Sequence, residues 1–100
     1  MKFNRLVVFG GSGGLGKPLS DELSRDYEVV ALSSKDVDVT NFDEVKYFFK
    51  NNNQDIVINL SGYNHNIILH KYDGNDAEIK KQIQVNIEGS LNILANCLPN

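Results

Sequence analysis

Residues 9–18 read FGGSGGLGKP, and glycines at this spacing can cradle phosphate in two ways. Counted from Gly11, the stretch is G-x-x-x-x-G-K, the opening of a triphosphate-binding P-loop. That loop requires Ser or Thr after the lysine, because the hydroxyl ligates magnesium. Here Pro18 follows Lys17, and proline has neither a hydroxyl nor a backbone N–H. The later apolar run DIVINL, residues 55–60, carries its aspartate at the start and Asn59 near its end, so no acid closes it to hold the metal. Lys17 then reads as a solvated helix residue. Counted from Gly10, the stretch is a dinucleotide fingerprint in which Gly10 makes the tight turn and Gly13 or Gly14 lets the backbone approach a pyrophosphate. Gly16 lets helix and strand pack closely, and Gly11, Ser12 and Leu15 complete the loop. The competing reading is a flexible turn of an unrelated α/β protein.

Such a loop works only between a strand and a helix, where backbone N–H groups at the helix start point at the anion. Leu6 to Phe9 is a continuous apolar run, the pattern of a strand buried on both faces. A helix is expected from about Gly14 to Arg25, with Pro18 tolerated in its first turn and Leu15, Leu19 and Leu23 turned to the sheet. EVVAL, residues 28–32, is the next strand, and Val37 with Val39 marks a short third one. Thr40 or Asn41 caps a helix to about Asn51, with Val45, Phe48 and Phe49 on one face. DIVINL is another buried strand, followed by an Asn- and Gly-rich loop from Ser61 to about Asp76. A long helix over Ala77–Leu98 closes the chain, with Ile79, Ile83, Ile87, Leu91 and Leu94 at spacings of three and four. Alternating strands and helices predict an α/β fold, a Rossmann-type doubly wound parallel sheet with helices on both faces.

The 100 residues fit one small domain, here expected to be the incomplete amino-terminal part of a larger one. A 41% hydrophobic and 23% charged composition is that of a globular protein. The formal charge of -3, with lysines and arginines scattered, gives no reason to expect nucleic acid or an anionic membrane as partner. The apolar run after Lys2 and Arg5 is too short for a signal peptide, no stretch is long enough to span a membrane, and Cys97 stands alone, so the expected location is cytoplasmic. His65 and His70 have no cysteine or paired carboxylates at ligand spacing, so no metal is expected. Cys97, near the end of an apolar helix face, reads as core.

Several short stretches, in order, resemble the short-chain dehydrogenase/reductase family. FGGSGGLG resembles its TGxxxGxG fingerprint, with Phe9 in place of threonine. Asp38, Val39 and Thr40 resemble its Asp-Val element, whose aspartate and next backbone groups contact adenine. Asn59, Leu60, Ser61 and Gly62 resemble its Asn-Asn-Ala-Gly motif, and Asn86-Ile-Glu-Gly89, on a helix that ends LANCLPN, its Asn-x-x-Gly. The spacing between Gly62 and Asn86 resembles the ordinary single-domain branch, and the expected activity is an NADPH-dependent carbonyl reductase. The short connection after EVVAL resembles the extended branch of sugar-nucleotide reductases and epimerases, which is the alternative. A non-catalytic nucleotide-binding or sensor domain is a further one.

The cofactor choice turns on the end of the second strand, where an acid selects NAD and its absence beside a cation admits NADP. Ser33, Ser34 and Lys35 stand there, which favours NADP, while Asp36 would favour NAD after a small register shift. The family's chemistry is hydride transfer with a Tyr-x-x-x-Lys pair and an upstream serine. The chain's tyrosines are followed at that distance by Ala31, Asn51, Ile67 and Asp76, so the serine, tyrosine and lysine are expected beyond Asn100. Asn86 is the single catalytic candidate, and the resemblance implies that it holds a water of the proton relay. It also implies a small carbonyl or alcohol substrate and homo-oligomers paired through the long helix.

Overall fold

The computed structural model describes residues 4–63 and 73–98. Strand β1, Arg5–Phe9, lies between β2, Glu28–Leu32, and β3, Ile56–Asn59, and all pairings are parallel. Phe9 is level with Leu32 on one side and Asn59 on the other, so all three strands end together at one edge. Helix α1, Gly16–Leu23, joins β1 to β2, and α2, Phe42–Asn51, returns past β1 to β3. Right-handed crossovers running in opposite directions put the two helices on opposite faces of the sheet. The fold is therefore the expected Rossmann-type α/β arrangement.

Residues of β1 alternate between the two faces and are buried on both. Val7 and Phe9 join Leu32, Val37, Val39, Val45, Phe48 and Ile93 in the main core. The Phe9 and Phe48 rings meet edge to face at 5.9 Å, and Phe48 meets Phe49 at 5.3 Å. Such pairs add about 0.5–1.5 kcal/mol beyond the area they bury. Asn41 starts α2 by accepting a hydrogen bond from the Glu44 N–H at 3.1 Å, with Asp43 and Glu44 in the first turn and Lys50 in the last, as the helix dipole favours.

Three expectations need correction. Helix α1 starts at Gly16 rather than Gly14, so Leu15 precedes it and is 71% exposed, while Leu19 and Leu23 are partly buried. Val37 and Val39 are buried but form no strand. The polar groups of this segment bond locally: Val37 N–H donates to the Ser33 carbonyl at 3.2 Å, and Asp38 Oδ1 accepts from Thr40 N–H at 3.0 Å. Backbone held in such turns is withdrawn from a sheet ladder. The closing helix is also interrupted. It runs as α3, Ala77–Ile83, a π-helical turn over Gln84–Glu88, and α4, Gly89–Cys97.

Among the described residues, no helix is long and apolar enough to cross a membrane, and no group of His, Cys, Asp or Glu is placed to hold a metal. His65, His70 and most of the loop after Tyr63 lie outside the described residues, as does the final Pro99-Asn100.

Candidate functional site

Strand β1 ends in a turn that only glycine can make. Gly10 has φ +75°, and a Cβ there would lie 2.7 Å from the Leu60 carbonyl and the Ser61 nitrogen. A Cβ on Gly16 would overlap the Gly10 carbonyl oxygen outright. These glycines fold the loop tightly against the end of β3 and seat α1 on it. Gly11 is buried, and its carbonyl accepts from the buried Ser20 hydroxyl at 3.3 Å. Gly13 and Gly14 are exposed, and a Cβ on Gly14 would meet nothing within 4 Å.

The loop has donors to offer. Among the described residues the N–H groups of Ser12, Gly14 and Leu15 have no acceptor. Helix α1 has no side-chain cap and no acid in its first turn. The positive end of its dipole is therefore uncompensated, whereas Asp76 caps α3, accepting from Glu78 and Ile79 N–H at 2.9 and 3.1 Å. An anion would satisfy the loop donors and the dipole together.

The loop forms one wall of a cleft of ≈ 440 Å³ along the carboxyl ends of the strands. Of the residues expected from sequence, Gly10, Ser12, Gly13, Gly14, Ser33, Ser34, Asp38, Val39, Ser61 and Gly62 line it. Gly11 and Gly16 are buried. Leu15, Lys35, Asn59 and Asn86 do not line it either. Lys17 lies outside too, its ammonium 3.6 Å from Asp21 on an exposed surface.

At the β2 end, the Asp36 carboxylate folds back to accept from the Ser33 N–H at 2.7 Å and the Ser33 hydroxyl at 3.0 Å. These bonds, the backbone one first, hold the Asp36 carboxyl below its ordinary range, so it is ionised at neutral pH. The Ser33 hydroxyl also accepts from Lys35 N–H at 3.2 Å. At the β3 end, Asn59 Oδ1 accepts from the Ser61 N–H at 3.0 Å and from its hydroxyl, while Asn59 Nδ2 donates to Ser90 at 3.2 Å.

Asn86 sits inside the π-helical turn, and both ends of its amide grip one residue. Its Oδ1 accepts from Tyr63 N–H and its Nδ2 donates to the Tyr63 carbonyl, each at 2.8 Å. Its own carbonyl accepts from the Ser90 hydroxyl at 2.9 Å. The side chain thus fixes the loop after β3. Gly89, at the end of the π turn, packs directly on Val39, and Asn92 Nδ2 donates to the Val39 carbonyl at 2.8 Å. Tyr63, Lys81 and Val85 line the cleft as well and carry no motif that marks them in the sequence. The loop after β3 brings Tyr63 there, and the return of the closing helix over the strand ends brings Lys81 and Val85.

The chain is 31% identical over 94 residues to a dTDP-4-dehydrorhamnose reductase of Mycolicibacterium smegmatis, a match that covers 93% of the chain and 26% of that relative. It thus spans about a quarter of that relative's length. A Bacillus anthracis dTDP-4-dehydrorhamnose reductase, solved in complex with NADP, superposes with a TM-score of 0.74 at 26% identity, over 93% of this chain and 31% of that one. The Listeria innocua protein lin1944 shares the fold, with a TM-score of 0.81 at 21% identity over 92% of this chain and 48% of that one. These likenesses favour the extended branch, given above as the alternative, over the single-domain carbonyl reductases. The short connection after EVVAL was thus a better guide than the spacing between Gly62 and Asn86. The profile of the RmlD substrate binding domain matches residues 4–99, and the chain belongs to that family.

Proposed function

We propose that the chain is the NADP(H)-binding part of a reductase that acts on the carbonyl of a nucleotide-linked sugar. The observation that carries this reading is the uncapped start of α1, directly after a loop that lines the cleft and has unpaired N–H donors. Its relatives supply the rest: a reductase of a nucleotide-linked sugar by sequence, and such a reductase bound to NADP by structure. When bound, the cofactor supplies hydride to the substrate carbonyl carbon.

The residues of this chain would bind and orient. Ser12, Gly13 and Gly14 would hold the pyrophosphate, Ser33 and Ser34 the adenosine ribose and its phosphate, and Asp38 with Val39 would border the adenine. Ser61, held by Asn59, and Gly62, next to the Tyr63 that Asn86 holds, would border the nicotinamide half. The proton donor of the family pattern, a tyrosine four residues before a lysine, has no counterpart in residues 1–100.

Titrating NADPH and NADH into the chain and its Gly14→Val variant tests the site. Gly14 faces open space, so valine should leave the circular dichroism spectrum unchanged while it abolishes NADPH binding. Equal binding by both proteins would reject the assignment of the loop.

A further inference from the structure

The cleft has a second polar wall, made by the start of the closing helix. Lys81 lines it, with its ammonium 4.3 Å from the centroid of the Tyr63 ring. Among the described lining residues it is the one lysine or arginine, and Asp38 is the one carboxylate. Lys17 is outside the cleft and occupied by Asp21, and Lys35 does not reach the lining.

The platform under Lys81 is fixed from several directions. Asn86 holds the Tyr63 backbone through two hydrogen bonds of 2.8 Å, and the Tyr63 hydroxyl donates to Glu78. Glu78 is three residues before Lys81 on the same helix face and is the natural ion-pair partner, yet it takes the tyrosine instead. Among the described residues Lys81 forms no ion pair. An ammonium seated on a ring face is attracted by the ring's electrons but keeps its N–H donors available to an anion.

We propose that Lys81, seated on Tyr63, is the cationic contact for the pyrophosphate of a dinucleotide bound in this cleft. The inference rests on the cofactor reading of the site. Lys81 and Tyr63 belong to the β3 side of the glycine loop, whereas Ser33 and Ser34, at the end of β2, belong to the adenosine side. The pyrophosphate over the loop is thus nearer to Lys81 than the adenosine 2′-phosphate is.

The test is a titration of NADPH and NADH into the whole chain and its Lys81→Gln, Lys81→Arg and Tyr63→Leu variants at several salt concentrations. Lys81→Gln should weaken both cofactors about tenfold and flatten the salt dependence of binding. Lys81→Arg should restore most of the affinity, and Tyr63→Leu should lose part of it while leaving the charge in place. Lys81 is exposed, so an unchanged circular dichroism spectrum controls for folding. Wild-type affinity in Lys81→Gln would overturn the proposal alone, and a loss confined to NADPH would overturn the pyrophosphate assignment. Failure of the unmutated chain to bind either cofactor would remove the cofactor reading and this inference with it.

Discussion

At the scale of single residues, the glycines of the loop separate into two kinds. Gly10 and Gly16 are required by the fold, because a Cβ at either would collide with backbone that cannot yield. A Cβ on Gly14 would meet nothing within the described chain, which suits the pyrophosphate contact proposed for it. Gly10→Ala should therefore destabilise the protein by about 1–3 kcal/mol from its left-handed backbone alone, with the collision adding to this. Gly14→Ala should stay within about 1 kcal/mol of the parent. Urea denaturation of the two variants checks the contrast, and equal losses would refute it. The fingerprint spacing already assigns Gly10 to the turn, Gly13 or Gly14 to the pyrophosphate and Gly16 to close packing, but it does not say what a side chain at each would meet. The spacing does locate Gly10, but its steric partner, the Leu60–Ser61 backbone, arrives from fifty residues further on.

At the scale of elements, the strands were legible because continuous apolar runs such as LVVF have only a sheet interior to occupy. Val37 and Val39 show the limit of that rule. Their alternation is that of a strand, but it serves a looped segment whose backbone is tied up by Ser33, Asp38 and Thr40. At the opposite end of the sheet, a carboxylate that no motif marks does similar work. Asp55 Oδ2 accepts from the N–H groups of Asn4 and Arg5, each at 3.0 Å, and Asp55 N–H donates to the Arg5 carbonyl at 2.9 Å, which clamps β1 to β3. The Arg5 bond first, then that of Asn4, holds its carboxyl below the ordinary range. The stabilisation is thus complete above the unfolded value of about 3.9 and is lost as pH falls below it through the depressed folded value. Asp55→Asn should lower stability at neutral pH and flatten its decline in acid, as measured by denaturant titration from pH 7 to pH 3. An acid limb as steep as the parent's would refute the clamp.

At the scale of the whole molecule, the described chain leaves apolar surface uncovered. Ile83, Ile87, Leu91 and Leu94 are 47%, 56%, 59% and 54% exposed, and the outer edge of β3 has no strand partner among the described residues. The spacing of these residues correctly revealed an apolar stripe, but not that Val85, Gly89, Ile93 and Cys97 would be the ones facing α2 and the sheet. The chain as given should therefore self-associate with rising concentration, and Leu91→Glu with Leu94→Glu should keep it monomeric in sedimentation velocity. Unchanged association in the double variant would shift the cause to the open strand edge. The inward set also depends on the π-helical turn at Gln84–Glu88. Such a turn holds one residue more than an α-turn and so acts as a phase shift within a single rod. Each residue of an α-helix is worth about 100° of rotation. Deleting one residue there would leave a smoother helix, but it would turn Glu78 and Lys81 about a quarter of a circle away from Tyr63 relative to Gly89 and Ile93. The register of the cleft's second wall is set by one extra amino acid rather than by any side chain that lines it.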